Sequence, residues 1–308
     1  MLPLVIDFIM DYIPAVKKEI EHLRALHEIS SLLSFRITLK EFSIKILAII
    51  IKTLRVETAA IYTINWELKQ LICLNSLGKD SEGILKRESR LKLKLGFGLV
   101  GWVAQVGRAE IANEPHKHTH YTKEVDALAG ITAKNILCVP IILKNKNYGA
   151  IEVINKKTDF DDTDKELLLT ISSYVAMTIE NSELYQELLY SKDYVETVIE
   201  SIPGGFIASN KEGKITMFNT QAQNILGLNK SFVLGKNSKE VFLKQPELPS
   251  ILFDAFINQQ QQNRQEIYVI GKNDKRMLLG YGTILIKNKL GHLAGSGIIF
   301  QDITEFVK

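Results

Sequence analysis

The sequence predicts an α+β protein of two domains, each an antiparallel sheet flanked by helices, joined by a long continuous helix. The 308 residues are enough for two domains that each bury a core. In both halves, apolar and polar residues alternate in short runs bounded by turn residues, which is typical of antiparallel strands. Residues 164–202 contain almost no helix breaker. We therefore expect an N-terminal amphipathic helix over 1–20, domains over 21–186 and 187–308, and a connecting helix over about 164–202.

The first domain is expected to begin with helices and to continue as a six-stranded sheet. Apolar residues recur at three- and four-residue spacing from Glu19 to about Leu54, with a break near "SFRITLKEF". The period then changes to the alternation of strands in "VETAAIYTIN" and "QLICLNS". The remaining strands are "RLKLKL", "RAEIANE" and the two arms of a hairpin in "KNILCVPIILKNKNYGAIEVINK", which turns at Asn145 to Asn147.

Within the connecting helix, one set of residues is spaced for pairing with a second helix. The intervals are 4, 3, 4, 3 and 4, and the members of this seam are Leu184, Leu188, Ser191, Val195, Val198 and Ile202. Ser191 is the one polar member. This spacing is typical of a coiled coil, so we expect a homodimer through these helices.

The second domain is expected to be rich in strands. "SIPGG" ends the connecting helix, and "GFIASN" and "KITMFN" form a hairpin around "KEG". A short helix, "TQAQNIL", ends at Gly227, and "LPSILFDAFINQQQQ" is a second helix. Three further antiparallel strands follow between Glu266 and Ile303, separated by "KND" and "KLG".

Charge and composition exclude several classes of protein. The 38 basic and 35 acidic residues leave a net charge of +3, too small for the field that draws a protein to nucleic acid. The apolar N-terminus lacks a basic leading segment and is interrupted by Asp7, Asp11 and Pro14, so it is a poor signal peptide and a poor membrane span. Cys73 and Cys138 lie in apolar runs, which is typical of a reducing compartment. We expect a cytoplasmic protein with no nucleic-acid and no membrane partner.

A Gly-x-Gly-x-x-Gly motif at Gly96, Gly98 and Gly101 raises the question of dinucleotide binding. That mechanism needs a buried parallel strand before the glycines and an acidic residue about 20 residues later. The strand before these glycines alternates Leu with Lys, whereas buried parallel strands are continuously apolar. We interpret the glycines as a tight turn from strand to helix.

The glycines belong to a longer pattern, "GFGLVGWVAQVGRAEIAN", which the predicted hairpin and a long helix follow. Between hairpin and helix lies an Asn-Lys-(x)-Phe-(x)3-Asp signature, formed by Asn155, Lys156, Phe160 and Asp164. Together these features resemble a GAF domain, although Lys165 stands where that signature has Glu. The resemblance implies a small-molecule pocket between the sheet and its loops, braced by a salt bridge from Lys156 to Asp164. The expected ligand contacts are Asn113, His116, Thr132 and Asn155.

The second domain contains another set of matching positions, namely Gly213, Asn219, Gly227, Gly235 and the closing "QDITE". These positions resemble a PAS domain. The resemblance implies a five-stranded antiparallel sheet with helices on one face, a ligand, flavin or haem often held between them, and signalling through terminal helices. The expected ligand contacts are Phe206, Met217, Asn219 and Phe253, and the expected relay residues are Asp302 and Thr304.

Several candidate cofactors can be weighed from the sequence. "HKHTH" places His116, His118 and His120 on alternate positions, where an extended chain could offer them to a metal or a haem. The polar loop favours solvated or pocket-lid histidines instead, so no metal site is predicted. Neither cysteine lies in the second domain or in the loop "THYTKEVD", which argues against a cysteinyl flavin and a covalent bilin. The second domain offers haem only His292, in a surface turn, so haem is not expected and the cofactor is left unknown.

No catalytic constellation is present in the sequence, which has no nucleophile frame, no zinc-protease motif and no ATP-binding lobe. Asp302 and Thr304 are good helix N-caps, but the four residues after Thr304 cannot sustain a helix. We therefore expect a further output module, or a separate protein that receives the signal.

The function expected from the sequence is sensing without enzymatic activity. A small molecule would bind in one or both pockets, and the connecting helices of a homodimer would relay the change to a downstream kinase or regulator. Two-component phosphorelay signalling is the setting that the family resemblance implies. Two alternatives remain, namely a ligand-free dimerisation scaffold and an enzyme of unrecognised type.

Overall fold

The computed structural model describes residues 2–33, 37–79, 84–87, 91–272 and 275–305 of the chain. Their contacts separate two units, Met1–Gln186 and Glu187–Lys308. Each unit has its own sheet, and the strand pairs recorded in both sheets are antiparallel. The predicted α+β class, with two antiparallel sheets flanked by helices, is confirmed.

The first unit is built around a large sheet. Among the described residues its strands are β1 Val56–Asn65, β2 Gln70–Lys79, β3 Ile84–Arg87, β4 Lys92–Lys94, β5 Glu110–Ala112, β6 Ile136–Leu143 and β7 Lys146–Lys156. Their order is β3-β2-β1-β7-β6-β5, and β4 pairs with β2. The expectation of six strands is wrong by one. The additional strand, β3, pairs with the end of β2 over only four residues, which is too short to show a period in the sequence.

Three helices pack on one face of this sheet, namely α1 Leu2–Leu32, α2 Leu39–Leu54 and the first half of α5 Asp162–Glu200. The helix expected over 1–20 is continuous with the residues after it in α1. A capping box formed by Thr38 and Glu41 starts α2. None of the described helices combines the length and the apolar character needed to cross a bilayer.

The opposite face carries α3 Gly98–Val106, a 3₁₀ turn at Pro115–Lys117 and α4 Lys123–Ala129. The chain turns sharply into α3, with positive φ at Gly96 (86°) and Gly98 (69°). A Cβ at Gly101 would lie 3.2 Å from the carbonyl oxygen of Lys94, so the third glycine permits close packing. Because the preceding strand β4 is antiparallel to β2, the interpretation as a strand-to-helix turn is confirmed.

The helix α5 is 39 residues long and unbroken. Its first half buries Leu167, Leu168, Ile171, Val175 and Ile179 in the core of the first unit. From 184 to 198 its large apolar side chains are mostly exposed. The connecting helix expected over about 164–202 is therefore present with slightly different ends.

The second unit contains a five-stranded sheet of β8 Gly205–Asn210, β9 Ile215–Phe218, β10 Gln265–Ile270, β11 Arg276–Lys287 and β12 Leu293–Asp302. The strand order is β10-β11-β12-β8-β9. Its helices are α6 Thr220–Leu226, α7 Lys230–Val233, α8 Ser238–Val241 and α9 Glu247–Asn258. The sequence did not predict α7 and α8, which have four residues each and begin at the caps Asn229 and Asn237. Phe218, Phe242 and Phe300 are fully buried in the core.

Candidate ligand-binding and relay residues

Asn113 joins the loop after β5 to the segment that leads into α5. Its Nδ2 donates to the carbonyl oxygen of Phe160 at 3.1 Å, and the Phe160 N–H donates to Asn113 Oδ1 at 2.9 Å. This reciprocal pair fixes the loop in place. Three residues later, His116 is exposed to solvent. Of these two expected ligand contacts, Asn113 is thus a loop anchor, and the role of both towards a ligand stays a prediction.

Asn155 is a buried junction between β1, the end of β7 and the loop before β6. Its backbone has φ 63°, in the left-handed region that Asn tolerates better than most residues. Oδ1 accepts from the Lys134 N–H at 2.7 Å, while Nδ2 donates to the Glu57 carboxylate at 2.7 Å and to the Thr132 carbonyl at 3.0 Å. The structure therefore brings the expected contacts Thr132 and Asn155 together, through the backbone of Thr132.

The three loop histidines have different surroundings. His116 is exposed, His118 Nε2 lies 3.9 Å from a carboxylate oxygen of Glu110, and the His120 ring stacks on Trp102 with centroids 4.4 Å apart. The backbone N–H of His120 donates to His118 Nδ1 at 3.3 Å. In the part of the chain that the structure describes, no three His, Cys, Asp or Glu side chains are grouped as metal ligands.

Asp164, at the start of α5, lies between two ammonium groups. Its side chain is 1% exposed and forms a short ion pair with Lys156 Nζ through Oδ2. Lys18 Nζ lies 3.0 Å from Oδ1, close enough for an ion pair although not aligned for a hydrogen bond, and 2.7 Å from Asp161 Oδ2. Burial alone would raise the pKa of Asp161, but hydrogen bonds from Lys18 and Thr163 hold it well below its usual value. The Lys156–Asp164 salt bridge is therefore part of a larger network that includes α1.

Asn219 organises the place where α5, β8 and α6 meet. It is fully buried, and its Oδ1 accepts from the backbone N–H groups of Phe206 at 2.8 Å and Ala222 at 2.9 Å. Its Nδ2 donates to the carbonyl oxygens of Ile199 at 3.2 Å and Gly204 at 2.9 Å. The side chain thus caps α6 and ties the last turn of α5 to the start of β8, within the second unit.

Ion pairs also hold the end of α5 in the second unit. Lys230 Nζ lies 2.8 Å from Glu196 and 2.9 Å from Glu200, both in the last turns of α5. Glu200 also accepts from the Thr220 N–H at 2.7 Å. The hydrogen bonds from Lys230 lower the pKa of both glutamates, and they raise the pKa of Lys230. The end of α5 is therefore held by both neutral and charged contacts.

Models of known protein families match both units. Residues 38–179 match the GAF domain, and residues 203–305 match the PAS domain. The chain carries a GAF domain followed by a PAS domain. The two resemblances inferred from the sequence are confirmed, and with them a sensory character for this part of the protein.

The phosphodiesterases among the curated relatives match the GAF region only. The probable 3',5'-cyclic phosphodiesterase pde-5 of Caenorhabditis elegans is 23% identical over 122 residues, which are 39% of this chain and 16% of the relative. The cone cGMP-specific 3',5'-cyclic phosphodiesterase subunit alpha' of Mus musculus is 25% identical over 112 residues, which are 36% of this chain and 13% of the relative. The chain thus spans a small part of these relatives, and the match contains no catalytic domain.

Solved structures also resemble the chain. The GAF domain of a phosphoenolpyruvate-protein phosphotransferase from Coxiella burnetii has a TM-score of 0.48 at 17% identity and covers 55% of this chain and 98% of that one. The E. coli DhaR(N)-DhaL complex has a TM-score of 0.43 at 15% identity and covers 92% of this chain and 85% of that one.

In the PAS domain, two expected contacts point away from the core. Ile207 and Phe218 belong to the cluster that packs against the helices. Because neighbouring strand residues point to opposite faces, Phe206 and Met217 lie on the other face of the sheet. A ligand between sheet and helices would therefore meet Ile207 and Phe218 rather than Phe206 and Met217.

The remaining expected residues of the PAS domain lie near its surface. Phe253, on α9, is 54% exposed and lines a surface cleft of about 170 Å³. Asp302 Oδ1 accepts from the N–H and the hydroxyl of Thr304, whose Oγ1 in turn accepts from the Leu278 N–H at 2.9 Å. Asp302 and Thr304 thus fix the end of β12 against β11, and a relay role for them stays a prediction.

Sequence reasoning missed a buried polar pair in the GAF domain. The Tyr62 hydroxyl donates to Glu152 Oε2 at 3.4 Å, and both side chains are buried between the sheet and α3. Burial, and then the charge of Glu152, raises the pKa of Tyr62 well above its usual value, and the pKa of Cys138 is raised by the same two causes. A glutamate inside the apolar run "YGAIEVIN" was the signal that could have revealed this pair.

Proposed function

We propose that this chain is a sensory region that binds a small molecule in its GAF domain and relays the change through α5. The observation that carries the proposal is the helix itself. Its first half is buried in the GAF core, and its last turn is held in the PAS domain by Asn219 and Lys230. A ligand can shift the helix only to the extent that it binds two arrangements unequally.

The proposed ligand site lies on the α3 side of the GAF sheet, where the polar pair Tyr62–Glu152 is buried and the histidine loop begins. Asn113 and Asn155 hold the surrounding loops by hydrogen bonds between their side chains and the backbone. A ligand that displaces the loops must disturb these bonds. Since Asn113 is bonded to Phe160, two residues before α5, loop movement would reach the start of the helix.

We also propose that α5 pairs with α5 of a second copy in parallel. The seam residues Leu184, Leu188, Val195 and Val198 are between 45% and 65% exposed. If the seam residues occupy heptad positions a and d, Glu187 is at g and Lys192 is at the following e. In a parallel pair these positions face each other, so Glu187 would meet Lys192 of the second copy, on both sides of the seam.

The proposed setting is cytoplasmic two-component signalling, with an output module or a partner kinase or regulator as receiver. The sensory domains in this chain support a signal-sensing role. Since two relatives are cyclic phosphodiesterases, cyclic nucleotides are the first ligands to test.

One observation favours the scaffold alternative for the PAS domain. Phe218, Phe242 and Phe300 occupy the space between sheet and helices, and each is less than 2% exposed. A Cβ at Gly205 would lie 2.3 Å from the Phe300 ring, so this aromatic is packed directly against the sheet. Because these aromatic side chains fill the interior of the PAS domain, we propose that the GAF domain binds the ligand and that the PAS domain transmits the signal.

The proposal is tested by a thermal-shift screen of the full chain with cyclic nucleotides and metabolites, followed by hydrogen exchange with any stabilising compound. We expect a compound to stabilise the GAF domain and to change exchange in α5 between Leu184 and Ile199. A compound that does not stabilise the protein serves as control. A ligand that leaves α5 unchanged would refute the relay, and a screen with no stabilising compound would favour the scaffold.

A further inference from the structure

A charged cleft lies on the side of the GAF sheet that α1, α2 and α5 cover. It is formed where α1, the end of α2 and the β7–α5 connection meet. Its volume is about 530 Å³, which is within the range of small-ligand sites. The lining residues come from three segments far apart in the sequence and do not include Asn113, Thr132 or Asn155. The cleft is therefore separate from the proposed sensory site.

The charges that line this cleft do not balance. Five lysine and arginine side chains face three carboxylates. Two of the carboxylates, Asp161 and Asp164, form ion pairs with Lys18 and Lys156, and we call this set the Asp164 network. The third carboxylate, Glu21, pairs with Arg55 at 3.2 Å. Lys17 and Lys157 are exposed and have no ion-pair partner within 4.0 Å in the described ranges. The cleft thus keeps a surplus of two positive charges.

The cleft also contains neutral groups that can form hydrogen bonds. Burial, and then the charge of Lys18, lowers the pKa of His22, which favours the neutral imidazole, and this form can donate one hydrogen bond. Thr53 and Thr158, whose side chains carry hydroxyls, also line the cleft. Cations and neutral donors together are the groups that bind phosphate oxygens in proteins.

We propose that this cleft binds a phosphate-bearing anion, such as a phosphate monoester or pyrophosphate, through Lys17, Lys157 and Arg55. The ion pairs of the Asp164 network line the cleft and do not change when the anion binds. Each lysine supplies a point charge to the phosphate. Arg55 contributes the N–H groups other than those of Nη2, which contacts Glu21. Because Lys17 is on α1 and Lys157 follows β7, the bound anion fastens α1 to the body of the GAF domain.

The test is isothermal titration calorimetry of the full chain with AMP and with pyrophosphate, with adenosine as the uncharged comparison. The double variant Lys17→Ala, Lys157→Ala removes two exposed, unpaired cations and leaves the ion-pair network intact. We expect it to bind both anions at least about ten-fold more weakly than the unsubstituted protein. The matched control Lys69→Ala, Lys94→Ala removes two exposed lysines of the same domain outside the cleft and should bind as before.

A phosphate can belong to a soluble ester or to a lipid head group, and flotation with vesicles distinguishes the two. Binding to phosphatidylcholine vesicles that contain phosphatidylglycerol, lost in the Lys17/Lys157 variant, would assign the phosphate to a lipid. Binding of AMP or pyrophosphate that shows the same loss would assign it to a soluble ester. Equal affinities of the two double variants, or no binding of any of these probes, would overturn the proposal. A cyclic nucleotide that stabilises the GAF domain in the thermal-shift screen should bind the Lys17/Lys157 variant as it binds the unsubstituted protein, so the two sites fail or succeed independently.

Discussion

Replacing Asn219 with alanine removes four hydrogen bonds from a fully buried position in the PAS domain. Loss of the α6 cap costs about 1 kcal/mol. The Phe206 N–H and the Gly204 carbonyl also lose a partner, and buried groups of this kind cost roughly 1–1.5 kcal/mol each, whereas the Ile199 carbonyl keeps a bond from the Ile202 N–H. We expect the PAS domain to lose about 3–4 kcal/mol, a large part of the 5–15 kcal/mol typical of a domain.

Urea unfolding of the full chain tests this value. Trp66 and Trp102, the two tryptophans of the chain, both lie in the GAF domain, so their emission follows that domain while circular dichroism follows both. With an m-value near 2 kcal/mol/M, the PAS transition should move by about 1.5–2 M urea. The control Asn229→Ala removes the cap of α7 at an exposed site and should cost about 1 kcal/mol or less. If Asn219→Ala shifts the transition no more than this control does, our account of the junction is refuted.

Two further predictions concern charge. The folded-state pKa of Asp161 lies below its unfolded-state value, so its stabilising effect is complete above the ordinary Asp pKa of about 4 and is lost as the pH falls below it. The free energy of unfolding of the GAF domain, followed by tryptophan emission, should fall between about pH 5 and 3. Asp161→Asn should reduce this dependence on pH, and an unchanged dependence would contradict the ion-pair network around Asp161 and Asp164. Glu187→Lys should weaken dimerisation in sedimentation equilibrium because it places like charges together, and adding Lys192→Glu should restore it. Equal association of all three proteins would argue against parallel pairing.

Local patterns were sufficient to predict much of the fold. Alternation identified the strand arms on both sides of the turn after β6, where Lys144 and Asn145 have φ of 48° and 67° and close a two-residue turn. The turn expected at Asn145 to Asn147 was placed too late, because Asn147 already belongs to β7. The absence of helix breakers predicted α5, and the alternation of Leu with Lys in "RLKLKL" excluded a parallel strand before the glycines.

Features that depend on distant contacts were not predictable in this way. "GFIASN" has bulky apolar residues on both faces, so the sequence could not show that Phe206 points away from the helices and Ile207 towards them. Asn219 was expected to contact a ligand, but its partners lie up to 20 residues away and meet only in the fold. The charged cleft is assembled from three separate segments, so no local motif marks it.

The relay proposed for α5 depends on parallel pairing with α5 of a second copy, and disulfide cross-linking tests that pairing directly. Val198→Cys places a thiol in the seam, at a position that meets itself only in a parallel pair, whereas Thr197→Cys places one beside it, outside the seam. The native Cys73 and Cys138 are buried and should not react. We predict a covalent dimer for Val198→Cys and little for Thr197→Cys. Equal cross-linking of the two variants, or none in either, would contradict the account.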